Sequence, residues 1–316
     1  SLCGQTVTQF EIIAVNDGST DSTGELLDSW ARREPRLRPI HEPHKGLIAA
    51  LNRGLAACAA PLVARMDADD ICDPGRLEKQ LQMFERDPTL SVASCRIESF
   101  PSSQVSEGFR LYESWQNRLL KHDDICREIF IESPVAHPSV MLRAAELRDL
   151  GAYEERQWPE DYDLWLRYYI AGKRFAKHPD VLVSWREHEA RLTRTDSRYS
   201  VENFLRAKAH YLAVGPLDSC DSLIIWGAGR TGRRISKHLI RAGHRPVAFV
   251  DIDKHKIGST VRQVPVVGAA ELPRLWTSRE RPFLLSAVAS RGARKLIRAN
   301  LSCEGLIEGE NFLCVA

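Results

Sequence analysis

Four successive positions, Asp67, Ala68, Asp69 and Asp70, give the sequence its strongest chemical signal. They follow an apolar stretch, residues 61–66, that reads as a strand. Like charges this close together repel unless something positive lies among them, and Mg²⁺ or Mn²⁺ are natural partners for carboxylate oxygens. Alternate residues of an extended chain point the same way, so Asp67 and Asp69 can converge on one ion. The alternative interpretation is a solvated loop, or a helix N-cap supplied by Asp70.

A glycine pattern in the last third of the chain is the second signal. Gly227, Gly229 and Gly232 form G-x-G-x-x-G between a predicted strand and a predicted helix, and Asp251 ends the next strand. In that context the glycines allow a tight turn and close approach of a phosphate to a helix N-terminus, while Asp251 is placed to bind a ribose hydroxyl. The pattern resembles NAD(P)-binding Rossmann domains. It equally resembles the small domains of sugar-modifying acyltransferases that hold a nucleotide sugar, and a purely structural use is the alternative.

Composition narrows the chemistry of this C-terminal unit. Residues 221–316 contain no tyrosine, so the Tyr-x-x-x-Lys base of dehydrogenases and epimerases is absent. A unit of this length has room for only one mononucleotide-binding half. The helix after the glycines is basic, which suits phosphate or an anionic membrane surface unless the cations are simply solvated. Its cations are Arg230, Arg233, Arg234, Lys237 and Arg241. The sequence therefore predicts a bound nucleotide here, NAD(P) or a nucleotide sugar.

Strands and helices that alternate along the chain must position these residues, and the alternation predicts an α/β fold. Predicted strands cover residues 10–15, 37–41, 61–66 and 139–143, and predicted helices cover 24–33, 45–57, 74–87 and 161–171. Further strands are predicted at 223–226, 247–251, 264–267, 283–288 and 312–315. Ligands of open α/β sheets bind beyond the carboxyl ends of the strands, where the run of aspartates falls. We predict domains over 1–200 and 221–316, joined by a helix and linker over 201–220.

Length, charge and cysteine usage limit the class of protein. A chain of 316 residues can form two cores, and a net charge of +2 gives no reason to expect nucleic acid as a partner. Eight cysteines without a C-x-x-C pair indicate neither a zinc site nor a redox motif, and they favour a reducing compartment. No apolar run approaches the roughly 20 residues of a membrane span, and no signal peptide is recognisable. The composition predicts a cytoplasmic protein, free or peripheral at the inner face of the membrane.

Five motifs then occur in an order that is specific to one family. VNDGSTD, ALNRGL, ARMDADDICDPGRLEKQ, AHPSVMLR and PEDYDLWLR follow one another within residues 1–200. Together they resemble the inverting family 2 glycosyltransferases of GT-A fold. The resemblance leads us to expect a GT-A domain followed by a small Rossmann-like α/β domain. It also implies a nucleotide-sugar donor and a Mg²⁺ or Mn²⁺ ion that bridges the donor phosphates.

The resemblance assigns roles on the donor side. It implies that Asp17, after the first strand, faces the nucleobase, commonly uracil in this family. Asp67 would lie beside the ribose and the metal, and Asp69 would ligate the metal itself. Lys45 would touch donor phosphate, although a solvated lysine is the alternative.

Two further groups of residues complete the assignment by resemblance. Arg186 and His188 match an arginine–histidine pair after the last strand of the domain, so Arg186 would bind the donor and His188 would contact the pyrophosphate or complete the metal shell. Asp161 would be the general base that deprotonates the acceptor hydroxyl, and a helix N-terminus would help to keep it ionised. Glu160 and Asp163 would assist or orient it, with Glu160 as a competing base and a simple N-cap as the alternative for Asp161.

The chain departs from the family pattern at its start. The opening apolar strand of the family is missing, and Asn16 stands where the family usually has the first of two aspartates. A parallel sheet that lacks a central strand would expose apolar edges and part of the base pocket. We predict inverting transfer of a sugar, from a UDP-sugar, to a hydroxyl of a glycan or lipid-linked acceptor in cell-surface polysaccharide synthesis. The alternative is a catalytically silent nucleotide-sugar or dinucleotide binding module that acts through its C-terminal domain.

Overall fold

The computed structural model describes the whole chain, residues 1–316, as two compact units. Unit 1 comprises Ser1–Ile125, Pro134–Arg156 and Glu160–Thr195, and unit 2 comprises Cys126–Ser133, Gln157–Pro159 and Asp196–Ala316. Two short stretches, 126–133 and 157–159, therefore belong to unit 2 although the chain on either side of them belongs to unit 1; we call them the inserted segments. The helix predicted as part of the linker is Val201–Ala213, and it also belongs to unit 2.

Unit 1 alternates strands and helices. Its strands are β1 (Ile12–Asp17), β2 (Leu37–Glu42), β3 (Leu62–Ala64), β4 (Ile71–Cys72), β5 (Leu90–Phe100), β6 (Met141–Arg143) and β7 (Arg174–Arg186). Its helices are α1 (Thr23–Ala31), α2 (Leu47–Ala57), α3 (Arg76–Arg86), α4 (Glu107–Gln116), α5 (His122–Glu128, which ends in unit 2), α6 (Ala144–Asp149), α7 (Glu160–Ile170) and α8 (Leu192–Thr195). A 3-10 turn, His137–Ser139, precedes β6.

The strands of unit 1 form two sheets. β1 and β2 pair in parallel, and residues 12–15 of β1 stay only half-buried. The second sheet has the order β3-β6-β5-β7-β4, in which only β5 and β7 run parallel. β5 is its buried central strand, and Leu77 and Phe84 of α3 pack with its residues Leu90 and Ala93. β4 pairs with residues near the end of β7, so the start of β4 lies beside the end of β7, while β3 is the strand at the opposite edge of the sheet.

Unit 2 is built around one six-stranded sheet with the order β10-β11-β9-β8-β12-β13. Its strands are β8 (Ser222–Trp226), β9 (Pro246–Asp251), β10 (Thr260–Val261), β11 (Val264–Gly268), β12 (Pro282–Ser286) and β13 (Phe312–Cys314). Its helices are α9 (Val201–Ala213), α10 (Arg230–Arg241), α11 (Leu272–Thr277) and α12 (Ala293–Cys303). All neighbours are parallel except β10 and β11. Numbered along the chain, the parallel strands lie in the order 3-2-1-4-5, as in doubly wound nucleotide-binding folds.

One prediction about unit 2 needs correction, and one feature of unit 2 was not predicted. We predicted that unit 2 has room for only one mononucleotide-binding half. The sheet is larger than that, because β12 and β13 extend it on the far side of β8. The inserted segments were not predicted at all. Glu128 in the first is buried and pairs with Arg294 at 3.1 Å and Arg298 at 2.7 Å. Trp158 in the second packs on His210, with ring centroids 5.6 Å apart. No helix of either unit has both the length and the apolar character that crossing a bilayer requires.

Candidate active site

Residues 67–70, which we call the acid loop, connect β3 to β4. The loop brings its first two carboxylates to different partners. Asp67 Oδ1 lies 2.5 Å from Nη2 of Arg65, a side chain that is largely buried. Asp69 Oδ2 lies 3.1 Å from Nε2 of His188, and both of these side chains are open to solvent. The structure therefore brings together Asp69 and His188, which the sequence predicted as metal ligands, and directs Asp67 towards an arginine.

Arg186, at the end of β7, holds the acid loop through two hydrogen bonds, an arrangement that we call the clasp. Its backbone N–H donates to Asp70 Oδ1 at 2.7 Å, and its Nε donates to the carbonyl oxygen of Asp69 at 2.7 Å. The guanidinium lies over the ring of Phe100, 4.3 Å from the centroid. Its Nη groups make no hydrogen bond to the protein. Arg186 is thus oriented by the loop and the aromatic ring while its outer donors stay available to an anion.

Asp70 is the buried member of the acid loop. Its Oδ2 is shielded from solvent and has no hydrogen-bond partner. Burial raises the pKa of Asp70 to about 7, the neighbouring charges of Asp67 and Asp69 add to the increase, and the bond from the backbone of Arg186 opposes it. A carboxyl group in this position acts as a structural acceptor for the clasp rather than as an exposed ligand.

Asp69 and His188 suit a divalent cation only in part. A carboxylate oxygen and a neutral imidazole nitrogen are both acceptable donors, and their 3.1 Å separation lets them converge on one ion. No group of three or more His, Cys, Asp or Glu side chains is arranged to hold a metal. Mg²⁺ commonly has only one or two protein carboxylates and takes its other ligands from substrate phosphates and water. The residues present therefore fit a cation that is completed by a donor diphosphate.

Asp17, at the end of β1, holds the chain that leads into α2. Its two carboxylate oxygens accept hydrogen bonds from the backbone N–H groups of Lys45 (2.8 Å) and Gly46 (2.9 Å), and His44 lies 2.9 Å away. The bond from Lys45 is the main reason that the pKa of Asp17 is lowered. The Lys45 ammonium itself is exposed and faces Glu42 at 3.4 Å. Asp17 thus shapes this loop, and Lys45 makes no contact with the acid loop.

Asn16 replaces an acid of the family pattern and has a local role. Its Oδ1 accepts from the backbone N–H of Ser19 at 2.9 Å, and its Nδ2 lies 3.2 Å from Nδ1 of His41. The side chain is buried, and it stabilises the turn that follows β1. A neutral amide can serve both contacts without the penalty of a second buried charge beside Asp17.

The three acids of α7 occupy different environments. Asp161 is half-buried in the first turn, and its Oδ1 accepts from the backbone N–H of Tyr162 at 2.7 Å. Glu160 is buried. Asp163 is completely buried and pairs with Nε of Arg167 at 2.8 Å. The predicted base therefore lies at the accessible start of the helix, while Asp163 belongs to an internal ion pair.

A buried cluster beneath these acids was missed by the sequence analysis. Tyr153 OH lies 2.8 Å from Nε2 of buried His137. Burial raises the pKa of Tyr153, and the charges of Glu160, Asp161 and Asp67 add to this while Arg65 opposes it. For Arg65, burial would lower the pKa, yet Asp67, Tyr153 and Glu160 keep it raised. The charge of Arg65 therefore interacts both with the acid loop, through Asp67, and with the start of α7, through Glu160. In the sequence, only the position of Arg65 two residues before Asp67 pointed to a role for it in the site.

Residues 227–229 form the glycine loop of unit 2, between β8 and α10. A Cβ on Gly232 would lie 1.9 Å from the carbonyl oxygen of Gly227. Gly227 has φ 112°, and a Cβ there would approach Val288 Cγ2 to 2.8 Å. These two glycines are explained by packing within unit 2. Gly229 differs, because a Cβ there would meet no atom within 4 Å.

Asp251 is engaged with the glycine loop rather than open to solvent. Its Oδ2 accepts from the backbone N–H of Ala228 at 2.9 Å, and its Oδ1 accepts from that of Asp253 at 3.0 Å. Lys256 Nζ lies 3.3 Å from the same carboxylate. The structure therefore brings Asp251 to the predicted place, but its carboxylate oxygens already accept hydrogen bonds from the protein.

Comparison with known proteins places this geometry in a family. Residues 1–148 match the sequence model described as Glycosyl transferase family 2. The amylovoran biosynthesis glycosyltransferase AmsE of Erwinia amylovora is 34% identical over 187 residues, which span 59% of this chain and 68% of AmsE. The chain belongs to glycosyltransferase family 2. Another relative is the Escherichia coli UDP-Gal:alpha-D-GlcNAc-diphosphoundecaprenol beta-1,3-galactosyltransferase, 29% identical over 71% of this chain and 80% of the relative.

A solved structure supports the fold of this family 2 chain. S. aureus TarS 1–349, determined in complex with UDP-GlcNAc, superimposes with a TM-score of 0.54 at 18% identity, over 76% of this chain and 66% of TarS. At this identity the likeness shows the fold. The predicted fold class, a mixed α/β protein with a GT-A domain, is confirmed. The chain spans slightly less than two thirds of the length of some relatives, 65% in one case.

Proposed function

We propose that this chain is an inverting, metal-dependent glycosyltransferase that moves a sugar from a nucleotide-sugar donor to a hydroxyl of a glycan or lipid-linked acceptor. The observation that carries the proposal is the clasp on the acid loop: His188 meets the carboxylate of Asp69, and Arg186 donates to the backbone of the same residue. Carboxylate, imidazole and guanidinium groups that meet where the acid loop lies beside the end of β7 suit a cation and a diphosphate. Family membership favours this transferase over a catalytically silent binding module.

On the donor side, Asp69 and His188 would hold Mg²⁺ or Mn²⁺, with Asp67 beside the ribose and the metal. A cation bound there would neutralise charge that develops on the leaving nucleoside diphosphate. Arg186 would offer its unengaged Nη groups to the diphosphate. Asp17 would face the nucleobase from the loop that it orders, and Lys45 of the same loop would touch donor phosphate.

A UDP-sugar is the donor class we propose. TarS was solved with UDP-GlcNAc, and the E. coli relative is named for UDP-Gal and for an acceptor linked to diphosphoundecaprenol. These names support a uridine donor and an acceptor in lipid-linked or cell-surface polysaccharide synthesis for this chain as well.

On the acceptor side, Asp161 is the proposed general base. Its carboxylate takes the proton of the acceptor hydroxyl as the hydroxyl oxygen attacks the anomeric carbon. The bond from that carbon to the nucleoside diphosphate breaks in the same displacement, so the configuration inverts. Glu160, buried beside Asp161, would adjust the local charge. Asp163 would act through its ion pair with Arg167, which fixes the first turn of α7.

Calorimetric titration with UDP, with and without Mn²⁺, tests the donor side. We expect Mn²⁺-dependent binding that Asp69→Asn removes, and that Asp149→Asn, on an exposed part of α6, leaves intact. Asp161→Asn should bind UDP normally and lose sugar transfer in a donor and acceptor screen by about 10²- to 10⁴-fold. Metal-independent UDP binding, or transfer that survives in Asp161→Asn, would contradict the corresponding assignment.

For unit 2 we propose nucleotide binding at the glycine loop, by NAD(P) or a nucleotide sugar. Gly227 and Gly232 are required by packing, whereas the space around Gly229 at the start of α10 is not filled by the protein. Such space suits a phosphate close to the helix N-terminus. Gly229→Val should weaken binding of NAD⁺ or UDP-GlcNAc to unit 2 without lowering its melting temperature. Unchanged affinity for every nucleotide tested would remove the proposal.

Unit 2 also supports a peripheral contact with an anionic membrane. On α10, Arg234 and Lys237 pair with Glu202, whereas Arg230 and Arg241 are exposed. Exposed arginines near an anionic surface each contribute roughly 1 kcal/mol to binding. Co-sedimentation with phosphatidylglycerol vesicles, but not with neutral phosphatidylcholine vesicles, is the expected result. Replacement of Arg230 and Arg241 by Gln should reduce it, and equal sedimentation with both lipids would rule out this contact.

A further inference from the structure

Four polar side chains with no solvent exposure lie inside unit 1 close to the acid loop. They are Arg76 and Gln80 of α3, Ser94 of β5 and Ser139 of the 3-10 turn before β6, each 0% exposed. Buried polar groups persist in a core only when their hydrogen bonds are made. None of the four has a part in the sugar transfer described above.

Arg76 holds both flanks of the acid loop. Its Nη2 donates to the carbonyl oxygens of Arg65 (2.8 Å) and Val140 (3.2 Å). Its Nη1 lies 3.2 Å from Met66 Sδ and 4.0 Å from Cys72 Sγ. Arg65 and Met66 come directly before the acid loop and Cys72 comes soon after it. None of these contacts involves a carboxylate, so the planar fork is used to fix backbone position.

Gln80 connects Arg76 to the centre of the sheet. Its Oε1 accepts from Nε of Arg76 at 3.0 Å. Its Nε2 donates to the carbonyl oxygens of Ala93 and Ser139, each at 2.9 Å. The amide thus uses its oxygen for the arginine and its nitrogen for two separate segments of chain. Arg76 is therefore fixed relative to β5 and to the turn before β6.

Ser139 extends the same connections towards the predicted acceptor side. Its hydroxyl lies 2.7 Å from that of Ser94 and donates to the carbonyl oxygen of Ala136 at 2.6 Å. Ala136 is followed in the chain by His137, whose imidazole contacts the hydroxyl of Tyr153. The four side chains, which we call the buried polar network, therefore tie the flanks of the acid loop to the segment that carries His137.

Stability alone does not account for an arginine at this place. A buried charge without a counter-charge is costly, and apolar side chains of similar volume often give equal or greater stability. What apolar side chains cannot do is hold the carbonyl groups of two separate segments, Arg65 and Val140, in one fixed arrangement. The fork of Arg76 does this directly beside the acid loop.

We infer that Arg76 is a positioning residue for the donor site: through the buried polar network it fixes the acid loop before donor and cation arrive. Arg76 touches neither ligand and acts through the backbone carbonyl of Arg65 and the side chain of Met66. The inference rests on the proposed function where UDP binding is the readout. Its geometric part, the fixed acid loop, holds for the protein without any ligand.

Hydrogen exchange of the unliganded chain tests the geometric part. In Arg76→Met we expect exchange of the amides of Arg65 and Asp70, which bond to carbonyls of Val140 and Asp67, to quicken by about tenfold or more. Arg143→Met is the matched control, because Arg143 also donates to two carbonyls, those of Leu90 (2.7 Å) and Pro88 (2.8 Å), away from the acid loop. It should leave these amides unchanged.

UDP titration in the presence of Mn²⁺ tests the functional part, at a temperature well below the melting of each variant. Arg76→Met should weaken metal-dependent affinity about tenfold, a loss that Arg143→Met does not share. Gln80→Met should weaken it by a smaller factor. The double variant should be no weaker than Arg76→Met alone, because both substitutions break one connected network.

The outcomes separate this inference from the proposed function. If the wild type fails to bind UDP with Mn²⁺, the proposed function fails, and exchange at the acid loop still decides the positioning role. If the wild type binds UDP but Arg76→Met lowers only the melting temperature, Arg76 is merely structural and the inference is overturned. Should Arg76→Met not fold, Gln80→Met decides: unchanged exchange at the acid loop and unchanged affinity would overturn it equally.

Discussion

The acid loop of unit 1 and the glycine loop of unit 2 both follow the carboxyl end of a strand, yet their polar groups are satisfied to different degrees. In the acid loop, Asp70 Oδ2 is buried without a partner, and Nε of the adjacent Arg65 is in the same condition. Beside the glycine loop, the carboxylate of Asp251 is fully engaged by the protein: it accepts from two backbone N–H groups and pairs with Lys256.

This difference predicts how substitutions in the two regions will affect function and stability. Buried polar atoms without partners are rare in folded proteins, so the two at the acid loop show that its hydrogen bonds are less complete than those around Asp251. The acid loop also keeps Asp69 and His188 accessible, with 46% and 39% of their side chains exposed. We therefore expect substitution of the accessible Asp69 to change function more than stability, and substitution of the tightly packed Gly232, next to the glycine loop, to do the reverse.

The largest expected effect lies in the acid loop. Asp69→Asn removes the negative charge of the proposed cation ligand without changing its size, and should lower kcat/KM for sugar transfer by about 10²- to 10³-fold. The melting temperature should stay within a degree or two, because the side chain is exposed. Steady-state rates and calorimetric melting of Asp69→Asn and Asp149→Asn, measured side by side, check this. A large drop in stability would place Asp69 with the structural acids instead.

Gly232, in the first turn of α10 after the glycine loop, should show the opposite behaviour. Gly232→Ala forces a Cβ to within 1.9 Å of a carbonyl oxygen and should destabilise unit 2 by about 3 kcal/mol, or roughly 10 °C in melting temperature. Gly229→Ala, where the Cβ meets nothing within 4 Å, is the matched control and should melt like the wild type. Similar melting of the two variants would show that packing does not select the glycine at 232.

Titration of Asp70 gives a third contrast. Its pKa is raised from an ordinary value near 3.8 to about 7, so the folded chain holds a proton that the unfolded chain has lost between those pH values. The stabilisation is complete below pH 4 and is lost as pH rises through 7. Relative to Asp70→Asn, the wild type should lose about 1–3 kcal/mol of unfolding free energy over this range. Urea denaturation with chelator present measures it, and parallel pH profiles would contradict it.

The smallest expected effect concerns unit 2 and has the opposite sign. Glu202 contacts Lys237, His238 and Arg234, and the bond from Lys237 is the main reason that its pKa is lowered to about 2. Its stabilisation is present above pH 4.5 and is lost as pH falls towards 2. Because the carboxylate is partly exposed, the loss relative to Glu202→Gln should be about 0.5–1 kcal/mol. Acid denaturation that is identical for both proteins would show no net contribution.

The sequence predicted the parts of the fold that have regular patterns. Apolar runs that end in turn residues gave β1, β2, β8 and β9, and the helices that follow them. β5 was missed because Ser91, Ser94 and Arg96 interrupt its apolar pattern, although the first two are buried. Their polarity is explained only by contacts such as that between Ser94 and Ser139, which lie 45 residues apart.

Prediction of the site was similarly uneven. The acid loop was identified from its run of like charges after a predicted strand, and the Arg186–His188 pair was identified from the resemblance to the family. Tyr153 and Arg76 carry no such signal: a tyrosine after a helix and an arginine at a helix start are ordinary in sequence. Only the folded chain shows that one meets a buried histidine and that the other donates to two carbonyl groups.

The inserted segments have a consequence for how the gene can be divided. A cut after residue 200 would leave Glu128 without Arg294 and Arg298, and Trp158 without His210. In the remaining N-terminal piece, the carboxylate of Glu128 would lose its arginine partners and the indole of Trp158 would lose its packing partner. Both changes favour aggregation of the truncated product. Unit 2 therefore cannot be replaced by that of another protein through a single junction in the chain. A recombinant or evolutionary swap of the C-terminal unit must bring compatible residues at 126–133 and 157–159 along with it.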